Sequence, residues 1–251
     1  MKKPLLITIP FSHYCDKARW ALDRAGVAFD EVGHLPLLHF LPVRRAGGRR
    51  TVPVLVTGDG VLDDSPDIVR WADRRAPPER RLLGDGPAEE REIAELEKRF
   101  DTKLGPDTRR WAYFHILPRR EVLLRFCDDA RVPRWERLAF PVLYPVARAL
   151  MTKAMNINPA STQRSLERID ATFERVGALL ADGRPFLVGA RLSAADLAFA
   201  TLAVPTVMPP EQRCPYPALE DLPPEAAGRI KGWRAHPAGE YALRLYREHR
   251  R

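Results

Sequence analysis

The sequence predicts a small mixed α/β domain followed by an all-helical domain. Residues 5–75 read as β-α-β, an irregular connector and then β-β-α, the order of a small mixed sheet covered by helices. Residues 76–88, with Pro77-Pro78 and the Gly84-Asp85-Gly86-Pro87 run, have the composition of a linker. Beyond residue 88 the strand signals vanish and helical periodicity takes over. The reading therefore places a first domain at 1–76, a linker at 77–88 and a helical domain at 89–251.

Each element has a local reason. Residues 5–9 (LLITI) are an apolar run ended by Pro10, as in a buried strand. Ala18, Ala21, Leu22 and Ala25 then recur at helical spacing, with Gly26 as the stop. Residues 27–35 are a second strand. Residues 36–50, with two prolines, Gly47-Gly48 and four arginines, are irregular. Residues 52–56 are a third strand, and Gly58-Asp59-Gly60 turns it into a short fourth at Val61-Leu62. A helix from Pro66 to about Arg75 closes the unit. In the second half, 89–104, 161–182 and 194–204 are helical. Residues 119–155 are a helical stretch interrupted by prolines, and a terminal helix lies near 239–247.

Composition removes several function classes. Of 251 residues, 45% are apolar and 29% charged, a globular balance. The net charge of +8 is spread as +3 over residues 1–80 and +5 over the rest, so there is no basic tail, and no nucleic-acid motif accompanies it. Arginine supplies 34 of the 41 cations, a mark of GC-rich coding. Three cysteines (Cys15, Cys127, Cys214) make no even disulfide framework, which points to a reducing cytoplasm. The apolar tract 138–155 contains Pro141, Pro145, Arg148 and Lys153, so no transmembrane segment is expected. Dinucleotide, P-loop, nucleophile-elbow, zincin and C-x-x-C motifs are all missing, and the six histidines are scattered, so no metal is expected.

Three features can carry chemistry. In Phe11-Ser12-His13-Tyr14-Cys15 a strand turns into a helix, with Ser12 at the N-cap position beside the first free backbone N–H groups. Val52-Pro53 opens an apolar strand, where a proline need not donate to the ladder. Asp64-Ser65-Pro66 reads as a capping serine with proline at the first helical position, a second helix N-terminus suited to an anion.

Together with Gly189-Ala190-Arg191-Leu192-Ser193-Ala194-Ala195-Asp196, these features resemble a cytosolic glutathione transferase (GST) with a serine-type active-site turn. The resemblance implies a thioredoxin-like first domain and an all-helical second domain, the GST fold. It implies that Ser12 donates to the thiolate of glutathione, a co-substrate, for attack on a small hydrophobic electrophile. Val52, before a cis Pro53, would bind the cysteinyl part. Ser65 would hold the γ-glutamyl carboxylate and Asp64 the α-amino group, with one cation among Arg44, Arg45, Arg49 and Arg50 (Arg50 foremost) for the glycine carboxylate. Ser193 and Asp196 would form a capping box stapled by Leu192 and Leu197. Trp111, Tyr113, Phe114, Phe140 and Tyr144 would line the acceptor pocket. A two-fold homodimer would bury Ile68, Val69, Trp71, Ile93, Leu96 and Phe100.

The chemistry asked of Ser12 is modest. Bringing a free thiol from about 8.5 to about 6.5 takes about 2.7 kcal/mol. One hydrogen bond to a thiolate gives about 1.5–3 kcal/mol, and a helix N-terminus adds about 0.3–1 kcal/mol. Each residue also has a plainer reading. Ser12 and Ser65 are good helix caps, Tyr14 a packing aromatic that can also donate to a thiolate, and the arginines a solvated loop. Two other functions stand beside transfer: a non-catalytic binding or assembly module, and a thiol oxidoreductase centred on Cys15, three residues after Ser12.

Overall fold

The computed structural model describes residues 3–214 and 216–250, and by its contacts the chain forms two compact units. The first comprises residues 1–82 and 124–147; the second comprises 83–123 and 148–251. Residues 124–147, expected in the helical domain, therefore belong to the first unit.

The first unit is built on four strands: β1 (Leu5–Thr8), β2 (Asp30–Gly33), β3 (Val54–Thr57) and β4 (Gly60–Leu62). Their order is β2-β1-β3-β4, with β1 and β2 parallel and the other neighbours antiparallel. Helices α1 (His13–Arg24) and α3 (Ser65–Asp73) pack against each other. The buried Leu22, Ile68, Val69 and Ala72 lie on these two helices, and Leu6, Val54 and Leu55 on the strands. The short α2 (Phe40–Arg45) occupies the connector expected to be irregular. Its buried Val43 packs with Ile7 and Val54, and one apolar contact holds a helix that local propensity does not announce.

The returning segment carries α6 (Arg120–Cys127) and the start of α7 (Arg134–Ala154). Three contacts fix it. Gly33 N–H donates to the Arg131 carbonyl at 3.0 Å. A Cβ at Gly33 would fall 2.8 Å from Pro10 Cγ, so glycine suits the close packing of this residue against Pro10. Glu136, fully buried, sets one oxygen 2.5 Å from His34 Nδ1 and accepts from Leu35 N–H at 2.8 Å with the other. Glu31 accepts from Arg19 Nε at 2.8 Å and Thr8 Oγ1 at 2.7 Å, and lies 3.4 Å from Arg131. Helix α7 continues through Pro141 and Pro145. Four residues apart, they share a face that is partly open to water, where unbonded carbonyls are solvated.

The second unit is helical: α4 (Pro87–Arg99), a π turn (Phe100–Leu104) and α5 (Gly105–Ile116) follow one another directly. Next come α8 (Pro159–Leu180), α9 (Ala194–Leu202), α10 (Val204–Val207), α11 (Pro224–Ala235) and α12 (Pro237–His249). The apolar α9 is buried throughout. Its capping box forms as expected. Asp196 accepts from the backbone N–H and the hydroxyl of Ser193 at 2.7 Å each, from Leu187 N–H at 2.7 Å and from Tyr241 Oη at 2.5 Å. A carboxylate with four donors and no bulk water is an organising centre rather than a simple cap, and burial beside it pushes the Tyr241 phenol upward.

Two predictions follow from these centres. Asp196→Asn sets an amide N–H₂ among donors and should destabilise the protein by about 2 kcal/mol or more, against about 1 kcal/mol for Ser193→Ala, by chemical denaturation. For Glu31, burial opposes ionisation, but Arg19, Thr8 and Arg131 outweigh it and hold the carboxyl below its ordinary 4.5. A depressed folded pKa gives stability that is present above pH 4.5 and lost as pH falls through the lower value. Glu31→Gln should therefore flatten the acid limb of the melting temperature against pH.

Candidate functional site

Strand register gathers the sequence-predicted residues at one end of the first unit's sheet. Thr8 pairs with Gly33, Ile7 with Val54 and Leu55 with Leu62. The carboxyl ends of β1, β2 and β4 thus share one edge with the start of β3. The Ser12 turn, Val52-Pro53, Asp64-Ser65 and His34-Leu35 all emerge there. So do the N-termini of α1 and α3, whose free N–H groups and dipoles favour an anion.

Ser12 occupies the N-cap position of α1 in extended geometry, but its hydroxyl makes no capping bond. The hydroxyl instead lies within hydrogen-bonding reach of the Cys15 thiol. Cys15 is fully buried, and burial pushes its thiol up to about 11 against the pull of Arg19 and Ser12. Tyr14 is half-buried, its ring 4.6 Å from that of His13.

The Val52–Pro53 peptide is cis. Among the described residues neither the N–H nor the C=O of Val52 has a hydrogen-bond partner. At α3 the cap is Asp64, one residue earlier than the sequence suggested, which places Ser65 inside the first turn. The reason is local: Asp64 has extended backbone angles, and its carbonyl already accepts the first helical bond from Ile68 N–H at 3.1 Å. Asp64 is exposed with no capping bond from its side chain, whereas Ser65 is 1% exposed and its Oγ has no partner. A buried hydroxyl without a partner costs about 1–3 kcal/mol.

The arginines separate by contact. Arg49 forms a two-nitrogen pair with Asp63, at 2.7 and 3.2 Å, which holds the Asp63 carboxyl below its usual range. Arg50 is exposed with its guanidinium 5.7 Å from the Phe40 ring centre, and Arg44 and Arg45 are exposed. Sequence reasoning missed His39, buried at the start of α2 with an unpartnered Nδ1, and Glu136, which braces the same loop from α7. A lone acid at 136 gives no local signal, because its partners lie about a hundred residues away.

Of the aromatic residues expected at an acceptor pocket, Phe140 and Tyr144 are buried in the first unit, and Trp111 is buried in the second against Trp233, ring centres 4.8 Å apart. Ile68, Val69, Trp71, Ile93 and Phe100, assigned to a dimer surface, are buried within the single chain.

The glutathione S-transferase N-terminal domain family matches residues 6–80, and the glutathione S-transferase C-terminal domain family matches residues 159–236. Together they span more than half of the chain. The protein belongs to the glutathione S-transferase superfamily. Solved structures agree on the fold of this transferase family member. A glutathione S-transferase from Xanthobacter autotrophicus Py2 is similar at 17% identity and a TM-score of 0.61, over 98% of this chain and 93% of that one. A theta-class enzyme from Xanthomonas axonopodis pv. citri, with glutathione bound, is similar at 20% identity and 0.59, over 97% and 98%. One from Methylobacterium radiotolerans JCM 2831, in complex with glutathione sulfonate, is similar at 18% identity and 0.55, over 96% and 95%. Comparison with curated proteins finds no match.

In this superfamily member the unpartnered Ser65 hydroxyl gives a direct prediction. Without ligand, Ser65→Ala removes a buried polar atom that has nothing to bond, and should leave the melting temperature unchanged or raise it by a few degrees.

Proposed function

We propose that this protein is a serine-type glutathione transferase, with glutathione held at the sheet edge and its thiolate stabilised by Ser12. The carrying observation is the buried Ser65 hydroxyl with no protein partner at the head of α3, at the same end of the sheet as the unpaired backbone of Val52. These are open hydrogen-bond positions that a peptide-like anion completes. Val52 pairs with the cysteinyl N–H and C=O, as an added strand would. Ser65 and the α3 N-terminus take the γ-glutamyl carboxylate, Asp64 the α-amino group and Arg50 the glycine carboxylate, since Arg49 is engaged by Asp63. Ser12, free of capping duty, turns its hydroxyl from Cys15 to the bound sulfur.

The chemistry is then a shift in thiol ionisation plus proximity. A donated hydrogen bond and the α1 dipole favour thiolate over thiol, and binding an electrophile nearby makes attack effectively unimolecular. Cys15 is a poor candidate for this nucleophile: burial and an upward-shifted pKa oppose the exposed, low-pKa thiolate of redox cysteines. Tyr14 stands as a second donor only if Ser12 fails the test below.

Titration calorimetry with glutathione, followed by thiolate absorbance of the complex, tests the reading. Saturable binding with a thiol pKa below that of free glutathione supports it; no heat at millimolar glutathione sinks it. Ser12→Ala should raise the bound thiol's pKa by about 1–2 and lower turnover at neutral pH by about tenfold or more. Because the hydroxyl caps nothing, folding stability should change by about 0.5 kcal/mol or less. Cys15→Ala should retain thiolate formation. Loss of activity in Cys15→Ala with none in Ser12→Ala would replace transfer by thiol exchange.

A further inference from the structure

We infer that the outward face of α7 seats this protein on an anionic lipid surface. Trp135, Leu138, Val142, Leu143, Val146 and Leu150 are six of the eight large hydrophobic side chains exposed among the described residues. Leu138 is 68% exposed and Val142 79%. Trp135, Leu138, Val142, Val146 and Leu150 advance by three or four residues, so they form one stripe along the helix. Single exposed leucines need no explanation, but a contiguous apolar stripe marks an interaction surface.

Charge selects the occupant. No Asp or Glu occurs from Arg137 to Leu166, whereas Arg148, Lys153 and Arg164 do. Arg134, Arg148 and Lys153 have no ion-pair partner among the described residues. Beside the stripe lies a groove of about 260 Å³ lined by Leu124, Cys127, Leu138 and Pro141 together with Arg134, Arg137 and Asp128, the last 2.9 Å from Arg137, which leaves Arg134 as its unpaired cation. Apolar walls next to guanidinium groups suit a phospholipid, whose acyl chain and phosphate call for both. Trp135, at one end of the stripe, is the residue type that anchors at the headgroup level.

A second copy of the chain fits less well. Antiparallel pairing of two α7 helices about Val142-Leu143 would set the unpaired Arg148 opposite Arg137, whose partner Asp128 is already engaged, so the other copy offers Arg148 no acid. Spanning is also excluded for the described helices, since none is long and apolar enough to cross a membrane. An apolar face with cations on its flanks lies in the interface plane instead. Anionic headgroups supply the missing negative charge.

The test is co-sedimentation with vesicles of phosphatidylcholine alone and of phosphatidylcholine mixed with phosphatidylglycerol, at low and high salt. The expected result is partition onto the anionic vesicles, weakened by salt, with quenching of tryptophan fluorescence by brominated lipid that falls in Trp135→Phe. The pair Val142→Glu/Val146→Glu, on exposed positions outside the glutathione site, should cut partition by about tenfold or more, and Arg148→Gln or Lys153→Gln by about fivefold each. Melting temperature and glutathione binding should stay unchanged in all of them. No partition at millimolar lipid, or equal partition onto neutral vesicles, overturns the proposal. So does full retention of partition by the glutamate pair. A doubling of mass in sedimentation, abolished by that pair and without vesicle binding, assigns the face to a second copy and overturns it as well.

Discussion

A single carboxylate, Glu31, holds four parts of the first unit at once. It extends from β2 to Arg19 on α1, to Thr8 on β1 and to Arg131 on the returning segment. Arg19 is 1% exposed in its side chain and Glu31 10%, so neither charge is solvated by bulk water and each depends on the other. A buried pair of this kind adds little net stability over an apolar pair, but removing one partner leaves an uncompensated charge. Its effect is therefore on placement: α1 can sit on the sheet only where its guanidinium meets that carboxylate. The start of α1, and with it Ser12, is fixed by the same contact.

The sheet edge above this pair concentrates backbone groups rather than reactive side chains. Two helix N-termini, an unpaired Val52 amide and carbonyl, and a buried serine hydroxyl lie at one end of the sheet. None of these can be recognised by a pKa or by a cluster of titratable residues. The polarity comes from chain direction: parallel β1 and β2, then antiparallel β3 and β4, bring the connections to one end. In the proposed function, an extended, doubly anionic peptide would complete these hydrogen bonds.

The first 80 residues were legible because their signals are local. A strand stopped by Pro10, the Gly58-Asp59-Gly60 turn and a Pro66 helix start each declare themselves within a few residues, and the capping box at Ser193 does the same. What escaped was decided at long range. Helix α2 forms because Val43 reaches Ile7 and Val54. Helices α5 and α11 are hidden by Gly105-Pro106 and by a proline-rich approach, although proline suits a first turn. For Ser12 and Ser65 the sequence pattern reads as two helix caps, but neither hydroxyl caps its helix, because side-chain bonding is decided by the folded surroundings. The return of 124–147 to the first unit had no local signature, since Glu136 and Gly33 look ordinary until each meets its distant partner.

That return makes the first unit discontinuous in the chain, with 83–123 of the second unit lying between its two pieces. During synthesis the sheet and its helices leave the ribosome well before α7 does. Until residue 136 emerges, Leu35 N–H and His34 have no carboxylate to meet, and until Arg131 emerges the Gly33 amide is open. The amino-terminal unit is thus completed only after the first helices of the other have been made. Assembly of the two is interleaved in time, and a fragment ending in the linker carries every residue proposed to hold glutathione on a scaffold that lacks its last brace.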